Sequence, residues 1–142
     1  MIERFEKIWN RKTGIDEEQL HKLKLLLKEN NFPICDLPDT YIELLKESNG
    51  GDFTTGNREY QLFSVEEAMQ AYESYKFSIY MPFAFPFAMD GCGNFYIFNL
   101  RNKDACVYAV SSGDLEWKEC HKIADSFLHC LEQKESLDEI IF

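Results

Sequence analysis

The sequence predicts an α+β fold: a single mainly antiparallel sheet of about five or six strands, with four or five helices packed around it. Three observations lead there. The stretch Phe77–Leu100 carries one charged side chain, Asp90, in a chain that is 28% charged overall. Within it, two β-favouring runs flank the turn-forming residues Asp90-Gly91-Cys92-Gly93-Asn94. Outside it, several short segments place leucines and aromatics at helical spacing between recognisable caps.

Phe77–Leu100 contains six phenylalanines and two methionines, so it is expected to form the core. Each such side chain contributes roughly 1.5–3 kcal/mol when fully buried. Its longest uncharged run, Ile79 to Met89, is interrupted by Pro82 and Pro86 and falls well short of the ~20 residues a bilayer span needs. Pro82 and Pro86 cannot donate ladder hydrogen bonds, so the strand over Phe83–Met89 is expected to be bulged or to lie at an edge. The return strand, Phe95–Leu100, is apolar at nearly every position. That pattern predicts cover on both faces and a place at the centre of the sheet.

In chain order, residues 1–12 place Ile2, Phe5 and either Ile8 or Trp9 at helical spacing and read as a short amphipathic helix ended by Thr13-Gly14. A helix follows from Asp16, with acids in its first turn, Lys28 in its last, and Leu20, Leu23 and Leu27 on one face. Asn30-Asn31 and Pro33 stop it. A second helix runs from Pro38 to Ser48 and ends on Asn49-Gly50-Gly51, residues suited to a left-handed cap. Asp52 to Phe63 reads as a hairpin with Thr55-Gly56-Asn57 at its tip. Ser64 and Glu67 form a capping box for a helix reaching about Tyr75. After the core hairpin, Arg101–Asp104 is a polar turn, Ala105–Val110 a further strand, and Ser111–Asp114 another turn. A last helix is expected over His121–Lys134. The tail Ser136–Phe142 ends too apolar to remain in water, so it packs back or forms a contact.

Leu37-Pro38-x-x-Tyr41, Leu44-Leu45 and Asn49-Gly50-Gly51 together resemble the N-terminal signature of the SUKH superfamily, which includes a yeast cell-wall assembly regulator and many bacterial immunity proteins. Asp90-Gly91-Cys92-Gly93-Asn94-Phe95-Tyr96 is similar to that family's glycine-rich turn entering a central strand. Ile123-Ala124-Asp125-Ser126-Phe127 with Leu131 is similar to its last helix. The three occur in the family's order over residues 37–131. The resemblance implies structural roles for Leu37, Pro38, Tyr41, Asn49, Gly50, Gly51, Gly91, Gly93, Asp125, Ser126 and Phe127.

The formal charge of −10 is unevenly spread. Residues 1–51 hold ten acids and eight bases, and residues 52–142 hold fifteen acids and seven bases, so the excess lies on the sheet-bearing part. Nucleic-acid binding wants a basic footprint and is not expected. A basic protein partner is compatible with such a field, although solubility alone would also account for it. The N-terminus has no long apolar stretch and no small-residue cleavage site, so no signal peptide is expected. The five cysteines form no Cys-x-x-Cys pair and four sit among apolar neighbours, which predicts reduced, buried thiols, a cytoplasmic protein and no zinc.

The sequence offers no strong catalytic set. Cys120-His121 and His129-Cys130 suggest thiol–imidazole chemistry, but adjacent residues seldom point at each other and lack a third orienting group. Carboxylate pairs such as Glu66/Glu67 and Asp114/Glu116 fit solvated caps and turns. The expectation is therefore a protein without an active site, cofactor or metal, either monomeric or weakly dimeric. What the resemblance implies is an immunity protein: an acidic face that occludes the basic working surface of a cognate toxin domain. Candidate contacts are the acids on turns of the sheet region, Asp52, Glu59, Asp90, Asp104, Asp114 and Glu116. A regulatory scaffold similar to the cell-wall synthesis regulator is the alternative. An enzyme using a pocket among the core aromatics is a third reading, for which no convergent polar residues are evident.

Overall fold

Residues Ile2–Arg4 form one 3-10 turn and Lys7–Trp9 a three-residue edge strand, β1, in place of the helix expected over residues 1–12. A segment this short is marginal as a helix. Ile8 and Trp9 are β-formers, and pairing with the neighbouring strand satisfies their backbone. The computed structural model describes Met1–Ile141.

From there the order is α1 (Glu17–Glu29), α2 (Asp39–Glu47), β2 (Gly51–Thr55), β3 (Arg58–Leu62), α3 (Val65–Ser74) and α4 (Phe77–Tyr80). It continues with β4 (Ala84–Met89), β5 (Asn94–Asn99), β6 (Val107–Ser111), β7 (His121–Ala124), α5 (Phe127–Glu132) and α6 (Leu137–Ile141). The strands form one seven-stranded sheet in the order β1 to β7, antiparallel throughout. The α+β class is as expected; the two extra strands are β1 and β7. The last helix begins at Phe127, because His121–Ala124 pairs with β6. Its Ser126 cap accepts from the His129 N–H at 3.1 Å.

The proline-bearing strand is bulged: the β4–β5 register shifts between Pro86 and Ala88. It nevertheless lies in the middle of the sheet, with β5 beside it, whereas the apolar pattern had put β5 at the centre. All six residues of β5 are buried. Phe98 faces α2 and α5, and Phe95 faces α4 on the opposite side, as strand alternation requires.

Two buried groups knit the inner face. The Tyr41 ring, wholly buried on α2, meets Phe98 at 5.2 Å, Phe87 and Phe127 at 5.7 Å, and Phe85 at 6.1 Å. Arg58, also wholly buried, donates from Nε to the Glu135 carbonyl at 2.6 Å and from Nη2 to Gln133 Oε1 at 2.8 Å. It thereby ties the chain after α5 to β3. Leu37 is buried, and the expected cap of α2 works as a three-way junction. Gly50 and Gly51 adopt φ of 105° and 113°, and Asn49 Oδ1 accepts from the Val65 N–H at the start of α3. The tail packs back through buried Leu137; Phe142 lies outside the described residues.

The Tyr41 hydroxyl has no hydrogen-bond partner among the described residues, and burial holds it protonated. Replacing it removes an orphan polar group while keeping the ring. Tyr41→Phe is expected to leave stability unchanged or raise it by about 1 kcal/mol. Tyr41→Ala should lose about 3–5 kcal/mol. Urea unfolding checks both, and a Tyr41→Phe loss as large as that of the alanine variant would contradict the packing described.

Candidate partner-binding surface

The face of the sheet that carries Phe95 is only partly covered. Direct cross-strand partners run Trp9, Asp52, Gln61, Met89, Phe95 from edge to centre, so all five side chains share it. Tyr75 and Phe77 cover Phe95, at 4.8 and 5.3 Å between ring centres. Over β1–β3, Lys7, Trp9, Glu59 and Gln61 lie open there, with Asp52 and Thr54 half-buried between them. Trp9 is 49% exposed.

Beside the covered part lies a groove of about 500 Å³ between Tyr75, Tyr80 and the segment Ser112–Glu119. Its position follows from the backbone. Lys76 takes a left-handed conformation with φ 58°, which turns the chain sharply from α3 into the single helical turn of α4. That turn buries Phe77 and exposes Ile79 and Tyr80, at 69% and 56%. The opposite wall is held by Trp117, whose Nε1 donates to the Pro82 carbonyl at 3.0 Å and whose ring lies 3.6 Å beneath the Arg101 guanidinium. Asp114, Glu116 and Glu119 project from this wall. Lys118 pairs with Glu116 at 3.6 Å, while Asp114 and Glu119 have no ion-pair partner among the described residues.

The six acids chosen from sequence thus separate into three settings. Asp114 and Glu116 line the groove, joined by Glu119. Asp52 and Glu59 stand on the open strands, where Asp52 accepts from Asn10 Nδ2 at 2.8 Å and Glu59 from the Gly91 N–H at 3.3 Å. Asp90 and Asp104 are turned to internal hydrogen bonds. Asp90 is buried and accepts from the Cys92 N–H, the Asn94 N–H and Asn94 Nδ2, each at 2.9 Å. Asp104 accepts from the Cys106 N–H, Asn99 Nδ2 and the Tyr108 hydroxyl. Sequence reading overlooked Ile79 and Tyr80 because the apolar run Phe77–Leu100 was assigned whole to the core, Trp9 because residues 1–12 read as a helix packed on the body, and Tyr75 because it was read only as a helix end. The one signal was the four-residue interval between Lys76 and Met81, too short to bury both faces of a helix.

The motif residues hold these surfaces in place. Gly93, at φ 83°, closes the turn between β4 and β5 and accepts from the Ser112 N–H at 2.9 Å, so that turn braces the groove's base. Gly91 is exposed above Glu59. Asp125 pairs with Lys122 at 2.6 Å beside the Ser126 cap, and Phe127 is buried against Phe87 and Phe98. A family model described as the SMI1/KNR4 family (SUKH-1) matches residues 14–133, which spans every one of these positions. The chain belongs to this family. No curated protein matches it. No helix among the described residues is long and apolar enough to cross a membrane.

In this SUKH-1 chain the cysteines are free, but only Cys130 is buried; Cys92 is exposed and Cys35, Cys106 and Cys120 are half-buried. The expectation of buried thiols fails because those residues lie at loop and strand ends, where apolar sequence neighbours point elsewhere. Burial pushes the thiols of Cys120 and Cys130 up and keeps them protonated, which suits packing more than nucleophilic attack. Cys130 faces Tyr60 and Arg58, whereas neighbouring His129 is exposed, so the sequence pair does not meet. Asp90, Cys92 and Asp138 lie within 4.8 Å of one another, but the Asn94 amide donates to both carboxylates. Those bonds already make the cluster a hydrogen-bonded turn.

Burial opposes ionisation of Asp104, but its hydrogen bonds outweigh that and hold the carboxyl below its ordinary pKa. A carboxyl lowered in the folded state stabilises the fold above its unfolded pKa, and that contribution is lost as the pH falls through the folded value. The wild type should therefore lose more stability than Asp104→Asn between about pH 5 and about pH 2. Urea midpoints across that range measure it, and parallel losses would contradict the assignment.

Proposed function

We propose that this SUKH-1 chain is a non-catalytic protein-binding module, an immunity protein that neutralises a basic toxin domain by covering its working surface. The observation that carries this reading is the groove. There two exposed tyrosines adjoin three carboxylates, with one lysine engaged beside them. Protein interfaces favour that composition: aromatic anchors give area at small entropic loss, and a charged rim selects the sign of the partner. The acid excess of residues 52–142 adds a field that attracts basic proteins before contact. Occlusion asks nothing of the binder beyond a stable surface, and the protonated thiols of half-buried Cys120 and buried Cys130 are consistent with an inert one.

Co-expression with toxin-like domains encoded beside this chain tests the proposal. The expected result is capture of one such domain at low salt, release as salt rises, and restored growth of the host. Failure to retain any of them at low salt would overturn the reading.

A further inference from the structure

We infer that the groove between Tyr75, Tyr80 and the Asp114–Glu119 segment receives the side chain of one arginine carried by the partner protein. This rests on the protein-binding reading above and specifies its anchor. The groove offers two exposed tyrosines and two carboxylates, Asp114 and Glu119, that lack an ion-pair partner among the described residues. A cation of the partner completes that arrangement by charge.

The same groove selects arginine over lysine. A guanidinium is planar, can stack on an aromatic face and can donate two parallel hydrogen bonds to one carboxylate. An ammonium is a compact, strongly hydrated point charge with three rotatable donors, and it lacks both the planar face for stacking and the fixed two-pronged geometry. The chain already makes the stacked contact next door: the Arg101 guanidinium lies 3.6 Å from the centre of the Trp117 ring, on the turn that carries Glu119. The volume, about 500 Å³, exceeds one side chain and leaves room for the backbone on either side of it.

Titration of the isotopically labelled chain with N-acetyl-arginine methylamide, followed by amide chemical shifts, tests the assignment. Shifts are expected at Tyr75–Tyr80 and Ser112–Glu119, with the lysine analogue binding about fivefold more weakly. Tyr80→Ala and Asp114→Asn alter exposed side chains, so their spectra should otherwise match wild type while the arginine-induced shifts are lost. Equal response to both analogues, or shifts spread over Asp52 and Glu59 as well, would overturn the arginine site. Toxin capture separates the two proposals. A toxin that both variants bind as tightly as wild type overturns the groove and leaves the protein-binding function standing. Groove shifts in a chain that captures no toxin support the site and remove the immunity reading.

Discussion

The structure depends on how one tyrosine ring is enclosed. Tyr41 brings α2 onto the sheet and touches phenylalanines of β4, β5 and α5, so three elements distant in sequence close on a single side chain. Aromatic pairs at such edge-on angles add to the burial of their area. The buried guanidinium of Arg58 then holds α5 and the chain beyond it through thiol, amide and carbonyl acceptors, with no carboxylate partner among the described residues. An apolar inner face held this firmly leaves the other face free to carry polar groups and charge.

That division explains the distribution of the carboxylates. Those next to backbone turns, Asp90 and Asp104, are drawn into hydrogen bonds that shape the loops. Those on the partly covered face remain in water, some beside Trp9 and some beside Tyr75 and Tyr80. Exposed charge next to exposed aromatic surface is the arrangement that favours association with another protein. The groove owes its shape to two local devices: the left-handed Lys76 and the clamp on Trp117 by Pro82, Arg101 and Tyr108.

Much of the fold could be read from the sequence because local chemistry determined it. The capping box at Ser64 and Glu67, the glycine turns at 56 and 93 and the proline bulge in β4 each follow from backbone rules acting over a few residues. The terminal strands could not be read so. Lys7–Trp9 and His121–Ala124 are strands because a neighbour offers hydrogen bonds, and the spacing of Ile2, Phe5 and Ile8 mimics a helix. Arg58 gave no signal either, since only the folded chain brings Glu135 and Gln133 to it. Among the surface residues, Asp114 and Glu116 were recognisable as acids on a turn. Tyr80 and Ile79 were hidden by their apolar neighbours, and burial there is decided by tertiary packing alone.

The central claim is that this acidic surface draws a basic protein to it. Once a toxin partner is in hand, the association rate constant measured by stopped flow against ionic strength tests that claim most directly. The account predicts a rate that falls by at least about tenfold between low and high salt, as screening removes the attraction. A rate independent of salt would contradict it.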